Sequence, residues 1–238
     1  MVLCMIEQER LEILHKAKQF FRERIVVNHI KNTEKLRRLS SFAFNPFLSK
    51  YLANYLTGDS SPESIAKALI YPRVLGTSIN TSFGTHMQHF CSNVLSGYAS
   101  TTSGIDIEFL DQLDGRHKYC QIKSGPQTIN KDDITTIKQH FHAVRNLART
   151  NNLQIHLTDL IVGVFYGTRK NLSAFYKAID EEFPVYIGQE FWHRLTGDIE
   201  FYDHLIDAIG EIAFEVDGTS LLNSVIADLA QQIEETME

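Results

Sequence analysis

Two short β runs joined by a tight turn constrain this chain more than any other feature. The stretch Gly104 to Lys123 reads GIDIEFLDQLDGRHKYCQIK. Ile105, Ile107 and Phe109 mark the first run, Tyr119 and Ile122 the second. Asp114-Gly115 between them supplies two residues that tolerate φ > 0. Side chains alternate faces along a strand, so Asp106 and Glu108 share one face of the first strand, and Gln121 and Lys123 share one face of the second. Two registers fit. A two-residue loop makes facing positions sum to 229 and sets Asp106 against Lys123. A four-residue loop, Gln112 to Gly115, makes them sum to 227 and sets Asp106 against Gln121. The polar group converges in both, because facing Cβ atoms lie ~5 Å apart and diagonal ones ~7–8 Å.

A carboxylate, an amide oxygen and a lysine on one patch suit metal-assisted phosphodiester hydrolysis. Hard oxygens from Asp106 and Gln121 hold Mg²⁺, which keeps several waters and engages a substrate phosphate. The metal acidifies a bound water, and Lys123 orients that water or neutralises charge developing on phosphorus. Glu108 on the same face is a further candidate. The competing reading is a surface hairpin with a solvated polar face, since D…Q-x-K arises in many hairpins by chance.

A net charge of −6 argues at first against a nucleic-acid partner, but the charge is unevenly spread. Residues 1–39 carry nine Lys/Arg against five Glu, and residues 115–150 carry seven against two Asp. Residues 198–238 carry eleven acids and no Lys or Arg. Basic surface is therefore local, and local basic surface is what contacts phosphate. With 43% hydrophobic residues the chain can fold around a substantial core, yet no apolar run approaches the ~20 residues that span a bilayer. The acidic N-terminal stretch MVLCMIEQERLEIL is not a signal peptide, which points to the cytoplasm. Cys4, Cys91 and Cys120 are odd in number and far apart, as expected of free thiols there. His86, His89 and Cys91 lack a CxxC and a fourth ligand nearby, which argues against zinc.

Along the chain, apolar spacing predicts a helix over 5–25, and TEKLRRL a second beginning at Thr33. Asn45-Pro46 starts a helix that Gly58 stops, and Ser61-Pro62 starts another that Pro72 ends. YPRVLGTSINTSFGT reads as a polar connection with Arg73 available to a phosphate. A helix over 84–97 turns Met87, Phe90/Cys91, Val94 and Tyr98 inward and carries Gln88 at the edge of that face, within reach of the hairpin site or of a structural hydrogen bond. After Lys123 the loop SGPQTIN leads into helix 132–150, whose buried stripe is Ile134, Ile137, Phe141, Val144 and Ala148. Lys138, His142, Arg145 and Arg149 form a polar stripe on it, either a solvated face or phosphate contacts. DLIVGVFY reads as a buried strand, FPVYIG as another, QEFWHRLT as a helix, and two acidic amphipathic helices close the chain. The order helix, β, β, helix, β, β matches an α/β fold: a mixed central sheet flanked by helices, with a further helical layer from the two termini. The expected division is a nuclease-like domain over 1–197, with its core about 84–190, and a C-terminal helical segment over 198–238 suited to dimerisation.

The hairpin, set after a helix and before a crossover helix, resembles the PD-(D/E)XK nuclease core. NPFL, PRVLGTSINTSFGT, DLIVGVFYG and VYIGQEFWHRLTGD resemble type II restriction endonucleases of the PmeII type, over roughly Asn45 to Gly197. Two departures stand out: no proline precedes Asp106, and Gln121 stands where many members of the wider fold have an acid. The resemblance implies a homodimeric, Mg²⁺-dependent endonuclease cutting both strands of a short palindromic DNA site, with GG…CC and a degenerate centre as the relatives' preference. It also implies a cognate DNA methyltransferase in the host, outside any stable complex. Base readers belong on loops entering the major groove: Ser124 to Asn130, including Gln127, and Gly167 to Asn171, where Arg169 suits guanine and Lys170 lies beside it. The alternatives are a low-specificity repair or phage-type nuclease and a catalytically silent DNA-binding protein of the same fold.

Overall fold

The computed structural model describes residues 7–95 and 98–237, with the backbone alone for Gln88, Tyr98 and Phe214. Cys4, the first residues of the expected helix 5–25, Ser96-Gly97 and the side chains of Gln88 and Tyr98 lie outside the described residues. In chain order the elements are α1 (Glu7–Phe20), α2 (Val27–Glu34), α3 (Pro46–Thr57), α4 (Pro62–Pro72), α5 (Ile79–Val94), β1 (Tyr98–Ala99), β2 (Ile107–Leu110), β3 (His117–Lys123), α6 (Lys131–Thr150), β4 (Leu160–Val164), α7 (Ala174–Asp180), β5 (Val185–Ile187), α8 (Gln189–Thr196), α9 (Phe201–Ile212) and α10 (Gly218–Met237). They form two compact units. One is the described part of Met1–Gln19 with His86–Ile209, the other Phe20–Thr85 with Gly210–Glu238. The division differs from the expected boundary at 197. Residues just past it stay with the first unit: Arg10 pairs with Asp198 at 3.2 Å, and Phe201 packs on Trp192.

The first unit is built on one mixed sheet in the order β1-β2-β3-β4-β5. β1, β2 and β3 pair antiparallel, while β3, β4 and β5 pair parallel. The parallel step from β3 to β4 needs a crossover, and α6 supplies it. Asn130 caps α6 in a capping box with Asp133, and Ile137, Phe141, Val144 and Ala148 form its buried stripe as expected. That stripe meets Leu160, Val162 and Val164 of β4 together with Tyr176 and Ile179 of α7, a helix the sequence pattern did not reveal. On the opposite face, Phe165 stacks on Trp192, Phe191 meets both edge to face, and Trp192 Nε1 donates to the Phe165 carbonyl at 2.7 Å. β4 is covered on both faces, which is why it reads as an uninterrupted apolar run. Cys91 and Cys120 are buried free thiols, and burial pushes both thiols up, away from the thiolate that would bind zinc.

The second unit is helical. Val225, Ile226, Leu229 and Ile233 of α10 pack with Ile65, Ala66 and Ile70 of α4 and with Leu36. Arg22 donates to Glu215 from Nε at 2.6 Å, and Arg37 pairs with Asp228. Arg22 and Arg37 are thus each paired with a carboxylate of the acidic tail. α3 starts at Asn45, whose side chain accepts from the Phe47 and Leu48 amides, and stops at Gly58 with φ 83°. Two expectations differ here. Thr33 does not start a helix: it lies within α2, with its hydroxyl donating to the His29 carbonyl at 2.9 Å. The supposed connection after Pro72 is helical, a π turn over Arg73–Ser78 leading into α5. A widened turn is how a helix continues past a proline that lacks an N–H.

Candidate active site

The hairpin register follows the longer loop. Ile107 faces Cys120, Glu108 faces Tyr119, Phe109 faces Lys118 and Leu110 faces His117. Asp111 extends the loop: its carboxylate accepts from the Leu113 amide at 2.9 Å, and Gly115 turns with φ 68°. The regular ladder ends at Ile107. Beyond it the Asp106 amide donates to the Cys120 carbonyl at 3.0 Å, and Asp106 Oδ2 accepts from the Ile122 amide at 2.7 Å. The carboxylate therefore sits against the end of β3 that carries Gln121 and Lys123. Burial pushes the Asp106 carboxyl above the usual range, opposed by the Ile122 amide and by the Lys123 charge. Lys123 follows Gln121 by two residues on the same strand, so alternation sets both on one face of β3.

Gln121 is buried, and its Nε2 donates to the Gly104 carbonyl and to His140 Nδ1 at 2.9 Å. His140 comes from α6, beside the buried Ile137 and Phe141 that fix that helix on the sheet. Gly104, with φ 80°, leaves the imidazole its room, because a Cβ there would overlap three ring atoms. His140 escaped the sequence reading. It lies off both stripes of its helix, and its partners are remote in sequence. The usable signal was Gly104, whose missing side chain opens the same pocket.

Glu108 is not brought to this group. Its carboxylate is bound by the hydroxyls of Ser100 and Thr102 and by His117 Nε2 at 3.0 Å. Gln88 lies on α5, and its side chain is outside the described residues. The loops after β3 and β4 emerge at one end of the sheet, since these strands run parallel. Half-buried Ser124 opens the first loop, which carries exposed Gln127 and is pinned by Tyr176 Oη and Thr128 Oγ1, both donating to the Gly125 carbonyl. Lys170 is exposed on the second loop. Arg169 is not free to read guanine: it pairs with Asp180 and donates to the Val185 carbonyl at 2.9 Å, tying the loop to α7 and β5.

The polar stripe of α6 divides. Lys138 and His142 both bind Glu182, at 3.3 and 3.2 Å. Arg145 and Arg149 line a cleft of about 530 Å³ with Gln154, His156 and Thr158, and none of its lining residues is acidic. These arginines stand about 8 and 13 Å beyond His140 along the helix, so they lie away from the Asp106 group. In the second unit Arg73 stacks over Phe42 at 5.7 Å and lines a hydroxyl-rich cleft with Lys35, Ser41, Thr77 and Thr81.

The donors near Asp106 are hard oxygens: one carboxylate and the amide oxygen of Gln121, whose hydrogen bonds all leave from Nε2. Among the described residues no group of three or more His, Cys, Asp or Glu forms a metal cage. The set fits Mg²⁺, which takes few protein ligands and keeps waters and phosphate oxygens, and it does not fit zinc.

A mixed sheet crossed by a helix, with Asp106, Gln121 and Lys123 gathered at the end of its hairpin, is the framework of a nuclease, and the comparisons give the class: the chain is a type II restriction endonuclease, a hydrolase that cleaves double-stranded DNA at specific sites. It belongs to the family of the type II restriction endonuclease EcoO109I, which matches residues 10–217. The resemblance read from the sequence had pointed to the same class through the PmeII type. A search of curated proteins finds no match. Among the described residues no helix is long and apolar enough to cross a membrane.

Proposed function

We propose that this restriction endonuclease is Mg²⁺-dependent and cuts both strands of a short palindromic site as a homodimer in the cytoplasm, with GG…CC and a degenerate centre as its preference. The observation that carries the reading is the convergence of Asp106, Gln121 and Lys123 where the β2–β3 ladder ends. Asp106 and Gln121 would hold the cation. When bound, Mg²⁺ supplies Lewis-acid stabilisation of the phosphoryl oxygens and a more acidic water. Lys123 orients the attacking water and offsets the negative charge that builds as the new P–O bond forms and the bond to the leaving oxygen breaks. Arg145 and Arg149 would follow the backbone, positioning the duplex without reading it. Gln127 and Lys170 are the exposed side chains on the two loops best placed to read bases. A cognate methyltransferase would protect host DNA without forming a stable complex. A plasmid digest with Mg²⁺, followed by sequencing of the ends, tests the proposal. Discrete bands ending in one palindrome are expected, and a smear or an intact plasmid would overturn it.

Palindromic cutting needs a two-fold assembly. The acidic C-terminal helix is a poor candidate for its seam, because the apolar stripe of α10 is consumed inside its own unit. α3 is the better one. Phe47, Leu48, Tyr51, Leu52, Tyr55 and Leu56 follow one another at helical spacing, and all are exposed, Phe47 at 86% and Tyr55 at 81%. Large apolar side chains exposed along one helix are what a standard interface draws on, with ~800 Å² from each partner. Lys50 is the helix's only charge, so two copies meet with little repulsion. Replacing Phe47 and Tyr55 by Glu is expected to convert a dimer into a monomer in sedimentation velocity. A variant that stays dimeric, or a wild-type monomer at micromolar concentration, would remove the seam from α3.

A further inference from the structure

The amide of Gln121 has two unlike ends, and the structure holds only one of them. Its Nε2 carries two hydrogens and meets two acceptors, the Gly104 carbonyl and His140 Nδ1. A carbonyl oxygen has no hydrogen to give. Turning the amide over would set Oε1 against the Gly104 oxygen and leave both acceptors unmatched. The Gly104 contact also fixes the imidazole: with Nε2 of Gln121 donating, Nδ1 of His140 accepts and the ring proton sits on its other nitrogen. Gly104 and His140 support each other, since only a residue without a Cβ lets the ring lie there.

We propose that His140 is a positioning residue that holds the Gln121 amide with its oxygen, and not its NH₂, presented as a metal ligand. A carboxylate at this position needs no such device, because its two ends are alike. A glutamine needs one, since an NH₂ group turned toward a cation repels it. His140 thus accounts for how an amide serves where other members of the wider fold use an acid. The inference rests on the reading of Gln121 as a ligand.

The test is a double-mutant cycle read by metal affinity. Mn²⁺ binding is measured by electron paramagnetic resonance without DNA, and the Mg²⁺ concentration for half-maximal cleavage is measured beside it. His140→Ala is expected to weaken metal binding about 10–100-fold, the usual cost of losing an outer-shell partner, with the cleavage rate at saturating Mg²⁺ far less affected. In a Gln121→Glu background the same change should have little effect on metal affinity. His140→Asn, whose Oδ1 can accept in place of Nδ1, should restore binding, and it carries the test if His140→Ala fails to fold. Equal losses in both backgrounds, or no loss with Gln121 intact, would overturn the proposal. If Gln121→Leu binds Mn²⁺ and cleaves like wild type, the ligand reading itself fails, an outcome distinct from His140 alone being neutral.

Discussion

Asp106→Asn should lose cleavage by ~10²–10³-fold while its metal-free form becomes harder to unfold. Both effects follow from one environment. The Asp106 carboxyl is half-buried and its pKa is raised, burial outweighing the Ile122 amide and the Lys123 charge. The folded state therefore binds a proton more readily than the unfolded chain does. Stability then falls as pH rises above the ordinary aspartate range, and at neutral pH the ionised carboxylate is a liability to the metal-free fold. Asparagine keeps the oxygen that accepts from Ile122 and removes the charge. Thermal melts in chelator at pH 7 should show a higher midpoint for the variant, and duplex binding in Ca²⁺ should persist. Wild-type cleavage rates would remove Asp106 from the site, and a lower midpoint would mean that its charge is well paired in the folded protein.

The second large effect lies at the other end of β3. The Lys118 side chain is fully buried. Its Nζ donates to Asp114 at 2.6 Å and to the Thr158 carbonyl at 3.1 Å, with Asp159 at 3.5 Å and Asp111 at 4.0 Å. Arg194 bonds Asp111 at 2.9 Å, and Arg116 grips Asp159 with both ends of its guanidinium. Lys118→Met keeps the stem and strips the ammonium from between buried carboxylates. Breaking a buried pair from one side costs about 3–5 kcal/mol, and urea unfolding should show a loss of that size. The acid limb should change as well. Burial works against ionised Asp159, but the Arg116 bond, the His156 amide and the Lys118 and Arg116 charges outweigh it and hold its carboxyl below the usual range. That stability is present above the ordinary aspartate value and disappears as pH falls through the lowered one. The variant should therefore show a shallower acid decline. A cost under about 1 kcal/mol, the size of a surface pair, would show that Lys118 is hydrated in solution.

What could be read beforehand divides along local and remote causes. Asn45-Pro46 and Gly58 delimit α3, and Asn130 starts α6, because capping acts within a few residues. The buried strand β4 was legible from composition alone. The hairpin register was legible only as a pair of options, since the choice depends on Asp111 folding its carboxylate over the loop amides. Asp106, Gln121 and Lys123 could be placed on one patch because alternation in a hairpin is a local rule. Glu108 obeyed the same rule, and its partners Ser100 and Thr102 come from an irregular segment with no pattern to read. The pairing of Arg169 was illegible for a related reason: its partner Asp180 ends α7, whose seven residues are too few for a clear period.

The helical unit draws on residues 20–85 and 210–238, so its core is closed by joining two segments far apart in the sequence. α4 has Ile65, Ala66 and Ile70 covered only when Val225, Leu229 and Ile233 of α10 dock on them. A chain lacking one of the two segments is then an unfinished object with an adhesive flank, prone to aggregate. For an enzyme that cuts DNA, the helical unit is thus whole only when both segments are present on one chain.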